Sequence, residues 1–120
     1  VFDRKRFVFL DGGMGTQLQV RGLQPGQKPE LAALEMPDTL TAIHTDYANA
    51  GADILLANTF GANAKKLAGC GHTVEEVVAA SIACARKAAE TAQAAAEAAQ
   101  AKAEVSDLKR QLFKAQQGRK

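Results

Sequence analysis

The feature that most limits the fold of this chain is a long segment without helix breakers. No glycine or proline occurs between residues 73 and 117 of the 120. Thr73, with Glu76 three residues later, has the spacing of a capping box, the reciprocal side-chain cap of a helix start. Residues 91–103 of the segment are mostly alanine with glutamine, glutamate and lysine, which are strong helix formers. The sequence therefore predicts one helix of about forty residues.

The residues before this helix are predicted to alternate between strand and helix. Residues 7–10 and 53–58 are short apolar runs that stop at polar residues and are predicted to be strands, the first of them buried on both faces as in a parallel sheet. Between them Pro37 and Asp38 open a helix, and Gly51 ends it. The apolar stripe of that helix consists of Leu40, Ile43, Tyr47 and Ala50. Strand, helix and strand in this order predict a right-handed crossover between parallel strands.

Shorter elements and one buried helix face complete the predicted architecture. Residues 15–22 form a short helix that Gly22 ends, residues 23–28 form a loop, and residues 62–67 form a helical turn. The long helix is expected to present one face to the core. That face consists of Val74, Val77, Val78, Ser81, Ile82, Ala85 and Ala89.

The composition changes near Thr91, and we expect two parts: residues 1–90, and an alanine-rich helical tail at residues 91–120. A heptad pattern runs through the tail at Ala94, Ala98, Ala101, Val105, Leu108, Leu112 and Ala115. Two interpretations stay open at this point. The tail is either a solvated helix whose charges pair along its length, or a helix seam for weak self-association.

Composition excludes some classes of function. A net charge of +2 and a pI near 8.7 give no argument for nucleic acid or an anionic membrane as partner. No apolar run approaches the roughly 18 residues of a membrane span, and no signal-peptide core follows the charged start, so the cytoplasm is the expected location. Cys70 and Cys84 are expected to be reduced thiols. A metal pair of Cys70 and His72 stays open, but two ligands do not make a structural zinc site.

Both predicted strands end in polar, glycine-rich segments, residues 10–16 and 56–63. The carboxyl ends of parallel strands carry the ligand site in α/β folds, and glycines there let a ligand approach the backbone. Asp11 offers acceptors, and the amide of Asn58 both donates and accepts. The glycine spacing matches neither a phosphate-binding nor a dinucleotide-binding loop. On spacing alone, a structural turn and a ligand loop are both open.

Several motifs resemble the homocysteine methyltransferases, and most of all the substrate domain of cobalamin-dependent methionine synthases. Residues 10–19 (LDGGMGTQLQ) resemble the first barrel strand and loop of that family. The pairs and triplets Pro29-Glu30-Leu31, Pro37-Asp38 and Ile43-His44 follow in the family's order, and then residues 50–54 (AGADI). Residues 58–63 (NTFGAN) with Lys66-Leu67 resemble its second strand and loop. The resemblance covers roughly residues 7 to 90.

The resemblance implies an α/β fold made of the first two βα units of a TIM (β/α)8 barrel, incomplete, with a long C-terminal α-helix. It implies homocysteine as substrate and methyl transfer to its thiol, with a zinc ion on three cysteines and methylcobalamin on another domain. His44 and Tyr47 are expected to pack the helix. By motif position the homocysteine pocket would be lined by Asp11, Gly12, Gly13, Gly15, Thr16 and Asn58.

The sequence also departs from the family. The family's paired zinc cysteines are absent, Ala32 stands where asparagine is usual and Ala57 where threonine is common, and a barrel needs about 250 residues. We therefore expect a truncated homocysteine-binding domain, inactive alone, with no cofactor in this chain; the lack of an initial Met agrees with a processed or fragmentary product. The alternative is a non-catalytic helical interaction or oligomerisation module. Deleting the tail would spare ligand binding under the first hypothesis and abolish association under the second.

Overall fold

The computed structural model describes residues 3–4 and 7–119. Residues 1–2, 5–6 and 120, which include the ends of the two expected parts, lie outside the described residues. A 3₁₀ turn at Pro29–Leu31 precedes the second of five helices. The helices of the described residues are α1 (Gly15–Val20), α2 (Ala32–Glu35), α3 (Pro37–Asn49), α4 (Ala64–Leu67) and α5 (Val74–Gln117).

The predicted βα units of a barrel are wrong, because the described residues contain no β-strand. Residues 7–10 and 53–58 do lie side by side, but they meet in a single parallel bridge between Leu10 and Ile54. The backbone N–H of Asp11 donates to Ile54 O at 3.1 Å, and the N–H of Asp53 donates to Phe9 O at 2.7 Å. The fold is therefore a helical body with two paired loop segments.

Aspartate side chains explain why the pairing stops after one bridge. The carboxylate of Asp53 accepts from the backbone N–H of Phe9 at 2.9 Å. At the other end, the carboxylate of Asp11 accepts from the N–H of Leu56 at 3.1 Å. Side chains that bond neighbouring backbone groups compete with a regular ladder. Both N–H groups thus bond a carboxylate rather than a carbonyl of the facing segment.

The apolar side chains of these segments are also more exposed than we predicted. Phe9 and Leu10 are 60% and 57% exposed, and Leu56 is 55% exposed. A strand buried on both faces needs neighbouring elements over each face. The described residues do not cover these side chains in that way, so the expected burial of residues 7–10 is wrong for Phe9 and Leu10.

The core lies where α3 crosses α5 and α2. Leu40 and Ile43 of α3 are buried, as the predicted stripe requires, whereas Ala50 is exposed. Leu40 packs with Ala33 and Cys84, and Ile43 packs in a second cluster formed with Leu18, Leu23 and Ala32. A third cluster joins α5 to the 3₁₀ turn and α4 through Val77, Leu31 and Leu67.

Helix α5 confirms the prediction of one long helix with a capping box. The Thr73 hydroxyl accepts from Glu76 N at 3.1 Å, and the Glu76 carboxylate accepts from Thr73 N. Its buried face consists of Val77, Ser81, Cys84, Ala85 and Ala88. Ile82 and Ala89, which we expected on that face, are exposed.

Only the first half of α5 packs on the body. Beyond Ala92, every described residue of the helix is exposed. The molecule is correspondingly elongated, with principal extents of 78, 30 and 22 Å. Within the described residues, no helix has the length and apolar character needed to cross a membrane.

Loss of the α5 cap should destabilise the body, because the first turn of α5 carries part of the core. We expect Thr73→Ala to lower the free energy of unfolding by about 1 kcal/mol, since a helix N–H loses its acceptor. Thr91→Ala in the middle of the same helix is the matched control and should change it by less than about 0.5 kcal/mol. Urea unfolding followed by circular dichroism measures both. Equal effects of the two variants would contradict the capping role.

Candidate functional site

An open cavity of about 400 Å³ lies between the two glycine-rich segments. Three of the six predicted site residues, Asp11, Gly12 and Asn58, line it. Gly13, Gly15 and Thr16 are not among its lining residues. The complete lining is Asp11, Gly12, Met14, Leu56, Ala57, Asn58, Thr59 and Phe60.

A larger groove of about 700 Å³ runs along α5, but it is a weaker candidate for a small polar substrate. Alanines form much of its wall, with Asp53, Arg86 and Gln93 as its charged or amide side chains. Ligand sites combine apolar walls with a few convergent polar groups. The smaller cavity has that arrangement, because a carboxylate and an amide from two different segments meet there.

Asp11 joins the two segments and faces the cavity. Its backbone N–H and one carboxylate oxygen bond to Ile54 and Leu56, so its position is held from both ends of the residue. The side chain is half-buried. A carboxylate has two oxygens, and Oδ2 is the one that accepts from Leu56. The other oxygen, Oδ1, is therefore the acceptor available to a ligand ammonium group.

Asn58 is held against the 3₁₀ turn and α5. Its side-chain Nδ2 donates to Pro29 O at 2.7 Å, and its backbone oxygen accepts from the Ser81 hydroxyl at 3.3 Å. Ser81 is fully buried on α5. Sequence reasoning did not nominate Pro29 or Ser81 as positioning residues, because both contacts join segments far apart in the chain.

Tyr47 of α3 contacts the glycine-rich loop and holds it in place. Its hydroxyl donates to Gly13 O at 2.6 Å. A Cβ on Gly12 would lie 2.9 Å from Cε1 of the Tyr47 ring, which is closer than real Cβ contacts come. The side chain also packs against the Ile43 cluster, as the expected packing role requires. Gly12 is therefore needed for close approach of the loop to this ring.

The remaining predicted residues, Gly13, Gly15 and Thr16, lie at or just before the start of α1. Gly15 begins α1, and Thr16 is exposed on the same helix. Gly13 approaches Thr16, since a Cβ there would be 3.2 Å from its hydroxyl. Phe60 is 97% exposed at the rim, with the ammonium of Lys66 at 5.5 Å from its ring centroid.

His44 is fully buried and lies outside the cavity lining. Neither ring nitrogen has a hydrogen-bond partner among the described residues. Burial lowers the pKa of His44 below its ordinary value of 6.5, and the nearby negative charge of Asp11 opposes that shift in part. The expected packing role agrees with its burial, which favours the neutral form of the ring.

The residues present do not fit a three-thiolate zinc site. The chain has two cysteines, and no group of three histidine, cysteine or acidic side chains in the described residues could hold a metal ion. Cys84 is buried on α5, where its thiol lies 3.8 Å from Pro37 O. Cys70 is in the loop before α5 and contacts the backbone of His72.

Comparison with known proteins gives similarities of three kinds. The family described as homocysteine S-methyltransferase matches residues 8–113, which includes most of the tail. The methionine synthases of Mycobacterium tuberculosis (strain ATCC 25618 / H37Rv) and Mycobacterium leprae (strain TN) are each 41% identical over 71 residues, covering 52% of this chain. The metallated and oxidized forms of the homocysteine methyltransferase MmuM from Escherichia coli superpose with a TM-score of 0.69 at 28% identity over 78% of this chain.

These relatives are much longer than the chain described here. The chain spans 6% of the length of the two methionine synthases. It spans 34% of the length of the Escherichia coli structure. The similarity therefore concerns only part of each of these longer proteins.

The close approach of Gly12 to Tyr47 predicts different costs for two neighbouring glycines. Gly12→Ala should lower the free energy of unfolding by about 1 to 3 kcal/mol, because its Cβ would overlap the Tyr47 ring. At Gly15 a Cβ meets nothing within 4 Å, so Gly15→Ala should leave stability unchanged or raise it by up to about 1 kcal/mol. Urea unfolding compares the two. The same loss in both variants would contradict this account of the loop.

The buried His44 predicts acid sensitivity. The folded state holds the pKa of His44 below 6.5, so the unfolded state binds more protons as the pH falls through that value, and stability is lost on the acid side. A His72→Gln background leaves His44 as the only histidine. In that background, His44→Leu should reduce the loss of unfolding free energy between about pH 7 and pH 5. Parallel pH profiles with and without His44 would contradict the prediction.

Proposed function

This chain belongs to the homocysteine S-methyltransferase family, and from that premise we propose that it carries a homocysteine-binding segment of a methionine synthase-like methyltransferase. The substrate would occupy the cavity between the two glycine-rich segments. The observation that carries the proposal is the convergence of Asp11, Gly12 and Asn58 on one cavity, since these residues come from two motifs more than forty positions apart.

The polar groups of the cavity suit the amino-acid end of homocysteine. The Asp11 carboxylate offers an oxygen to an ammonium group, and a charge-assisted hydrogen bond of this kind is about twice as strong as a neutral one. Backbone N–H groups of the glycine-rich loop would donate to the substrate carboxylate, with Gly13 in that loop and Gly15 and Thr16 at the start of α1. The Asn58 amide oxygen is left to accept from the substrate, since Nδ2 donates to Pro29.

The apolar walls suit the carbon chain and sulfur of the same molecule. Met14 and Leu56 line the cavity, together with the exposed Phe60. Burial of a few methylene groups contributes about 0.8 kcal/mol each. The cavity is open to solvent, so we expect modest affinity from the chain alone.

Binding does not by itself make this chain a methyltransferase. Activation of the thiol in the manner that the resemblance implies needs three cysteine ligands, and two are present. The methyl donor, by the same resemblance, belongs to another domain. We therefore propose that the 120-residue chain positions homocysteine and does not form methionine unaided.

Calorimetric titration of homocysteine into the purified chain tests the binding. We expect a Kd on the order of millimolar or tighter. Asp11→Asn keeps an oxygen for the Leu56 N–H but removes the charge, and should weaken binding by about tenfold, or roughly 1.4 kcal/mol. Asp107→Asn removes the same charge on the exposed part of α5 and is the matched control; its Kd should equal that of the native chain.

Three results would argue against the proposal. Absence of binding heat at saturating homocysteine would mean that the motifs are present without a working site. Equal weakening by Asp11→Asn and Asp107→Asn would mean that binding is nonspecific. Formation of methionine by the purified chain with zinc and a methyl donor would contradict the proposed division between binding and catalysis.

A further inference from the structure

The distal half of α5 has no role in the cavity and leaves an apolar stripe unpartnered. Val105, Leu108 and Leu112 are 51%, 62% and 61% exposed. Together with alanines they recur at alternating spacings of four and three, the repeat of a coiled-coil seam. The seam consists of Ala94, Ala98, Ala101, Val105, Leu108, Leu112 and Ala115.

Charged residues flank this seam in an ordered way. In heptad notation Ala98, Val105 and Leu112 occupy a positions, which places glutamates at two of the three g positions and lysines at two of the three e positions. Along the seam the g positions are Glu97, Glu104 and Gln111, and the e positions are Ala95, Lys102 and Lys109. One flank of the seam is therefore acidic and the other flank is basic.

The spacing of these charges distinguishes a helix that pairs with a partner from one that is fully solvated. Within one helix, stabilising Glu–Lys pairs lie three or four residues apart. Here Glu97 precedes Lys102, and Glu104 precedes Lys109, by five residues. Five residues place the two charges on opposite flanks of the helix, too far around it to pair. Five is, however, the separation of a g position from the e′ position it meets on a parallel partner.

The structure agrees that these charges do not pair within the chain. Among residues 3–4 and 7–119, the ion pairs join Arg21 with Asp46 and His72 with Glu76. The two glutamates that flank the seam, Glu97 and Glu104, instead accept from glutamine amides one turn earlier. Gln93 donates to Glu97 at 3.0 Å, and Gln100 donates to Glu104 at 3.3 Å.

We propose that the seam binds a second copy of this chain in a parallel, in-register dimer. Glu97 then meets the partner's Lys102, and Glu104 meets the partner's Lys109, with the two symmetric pairs completing the set. An antiparallel arrangement would place glutamate beside glutamate and lysine beside lysine. The flanking charges therefore select both the partner and its direction.

The apolar residues of the seam are consistent with a two-stranded coiled coil. Val105 at an a position and Leu108 at a d position follow the preference of parallel dimers for β-branched residues at a and leucine at d. Alanine occupies four of the seven seam positions, so the two helices approach closely but bury little area. The dimer is accordingly expected to be concentration-dependent and salt-sensitive.

The body does not obstruct this partner. At 100° per residue, the seam lies roughly 130° around α5 from the face that packs on α3. That face is formed by Val77, Ser81, Cys84, Ala85 and Ala88. In a parallel dimer the two bodies therefore lie on the outer sides of the paired helices, at the same end of the molecule.

Charge-reversal variants of the full chain test the pairing. Glu97→Lys/Glu104→Lys makes both flanks basic, and Lys102→Glu/Lys109→Glu makes both flanks acidic. Each variant alone should raise the dimer dissociation constant by about tenfold or more at low salt, and an equimolar mixture should restore association. Asp107→Lys reverses a charge off the flanks and is the control. Sedimentation equilibrium measures all of them, with circular dichroism to verify that α5 stays helical.

A cross-linking pair tests the direction. Ala94→Cys places a thiol on the seam and Ala96→Cys places one on the outer side of the same helix turn. In the parallel dimer Ala94→Cys should oxidise to a covalent dimer, whereas Ala96→Cys and the native chain should not. In an antiparallel dimer residue 94 would lie about 30 Å from its counterpart, and neither variant would cross-link.

Each outcome decides the proposal. The proposal is supported if the native chain associates, if both charge variants lose association and regain it on mixing, and if only the cysteine at position 94 cross-links. A native chain that stays monomeric at concentrations of about a few hundred micromolar would overturn it. Self-association that survives both charge reversals would also overturn it, because the dimer would then form elsewhere.

Discussion

The structure depends on the close packing of α5 against α3 and the residues next to it. The buried residues of α5 after Val77 are small: Ser81, Cys84, Ala85 and Ala88. Short side chains let two helix axes approach closely, and larger ones on α3, such as Leu40, fill the space between them. This contact also reaches the cavity, since the hydroxyl of Ser81 bonds the backbone of Asn58. One helix thus supports the core and one wall of the site.

Local signals explain what the sequence could predict. The cap at Thr73, the start of α3 at Pro37 and the length of α5 all follow from residues close together in the chain, and the structure contains each of them. Convergence of Asp11 and Asn58 was anticipated from the idea of two parallel strands ending at one edge. The strands are absent from the described residues, yet the segments still meet, because backbone hydrogen bonds around the Leu10–Ile54 bridge and two aspartate carboxylates join them.

Nonlocal contacts explain what the sequence could not predict. Nothing near Asp53 or Asp11 in the chain indicates that their carboxylates take N–H groups of the facing segment. The bond from Tyr47 to Gly13 joins residues 34 positions apart, and an aromatic residue on an apolar helix face is ordinarily read as packing alone. Burial of the His44 ring nitrogens without a partner also depends on how α3 sits against its neighbours.

The bond between Tyr47 and the glycine-rich loop has a consequence for spectroscopy. The chain has one tyrosine and no tryptophan. All of its tyrosine absorption and emission therefore arises from a single ring, whose hydroxyl holds the loop that borders the cavity. Any rearrangement of that loop alters the surroundings of the only tyrosine, so the chain carries its own optical reporter at the site, without an added label.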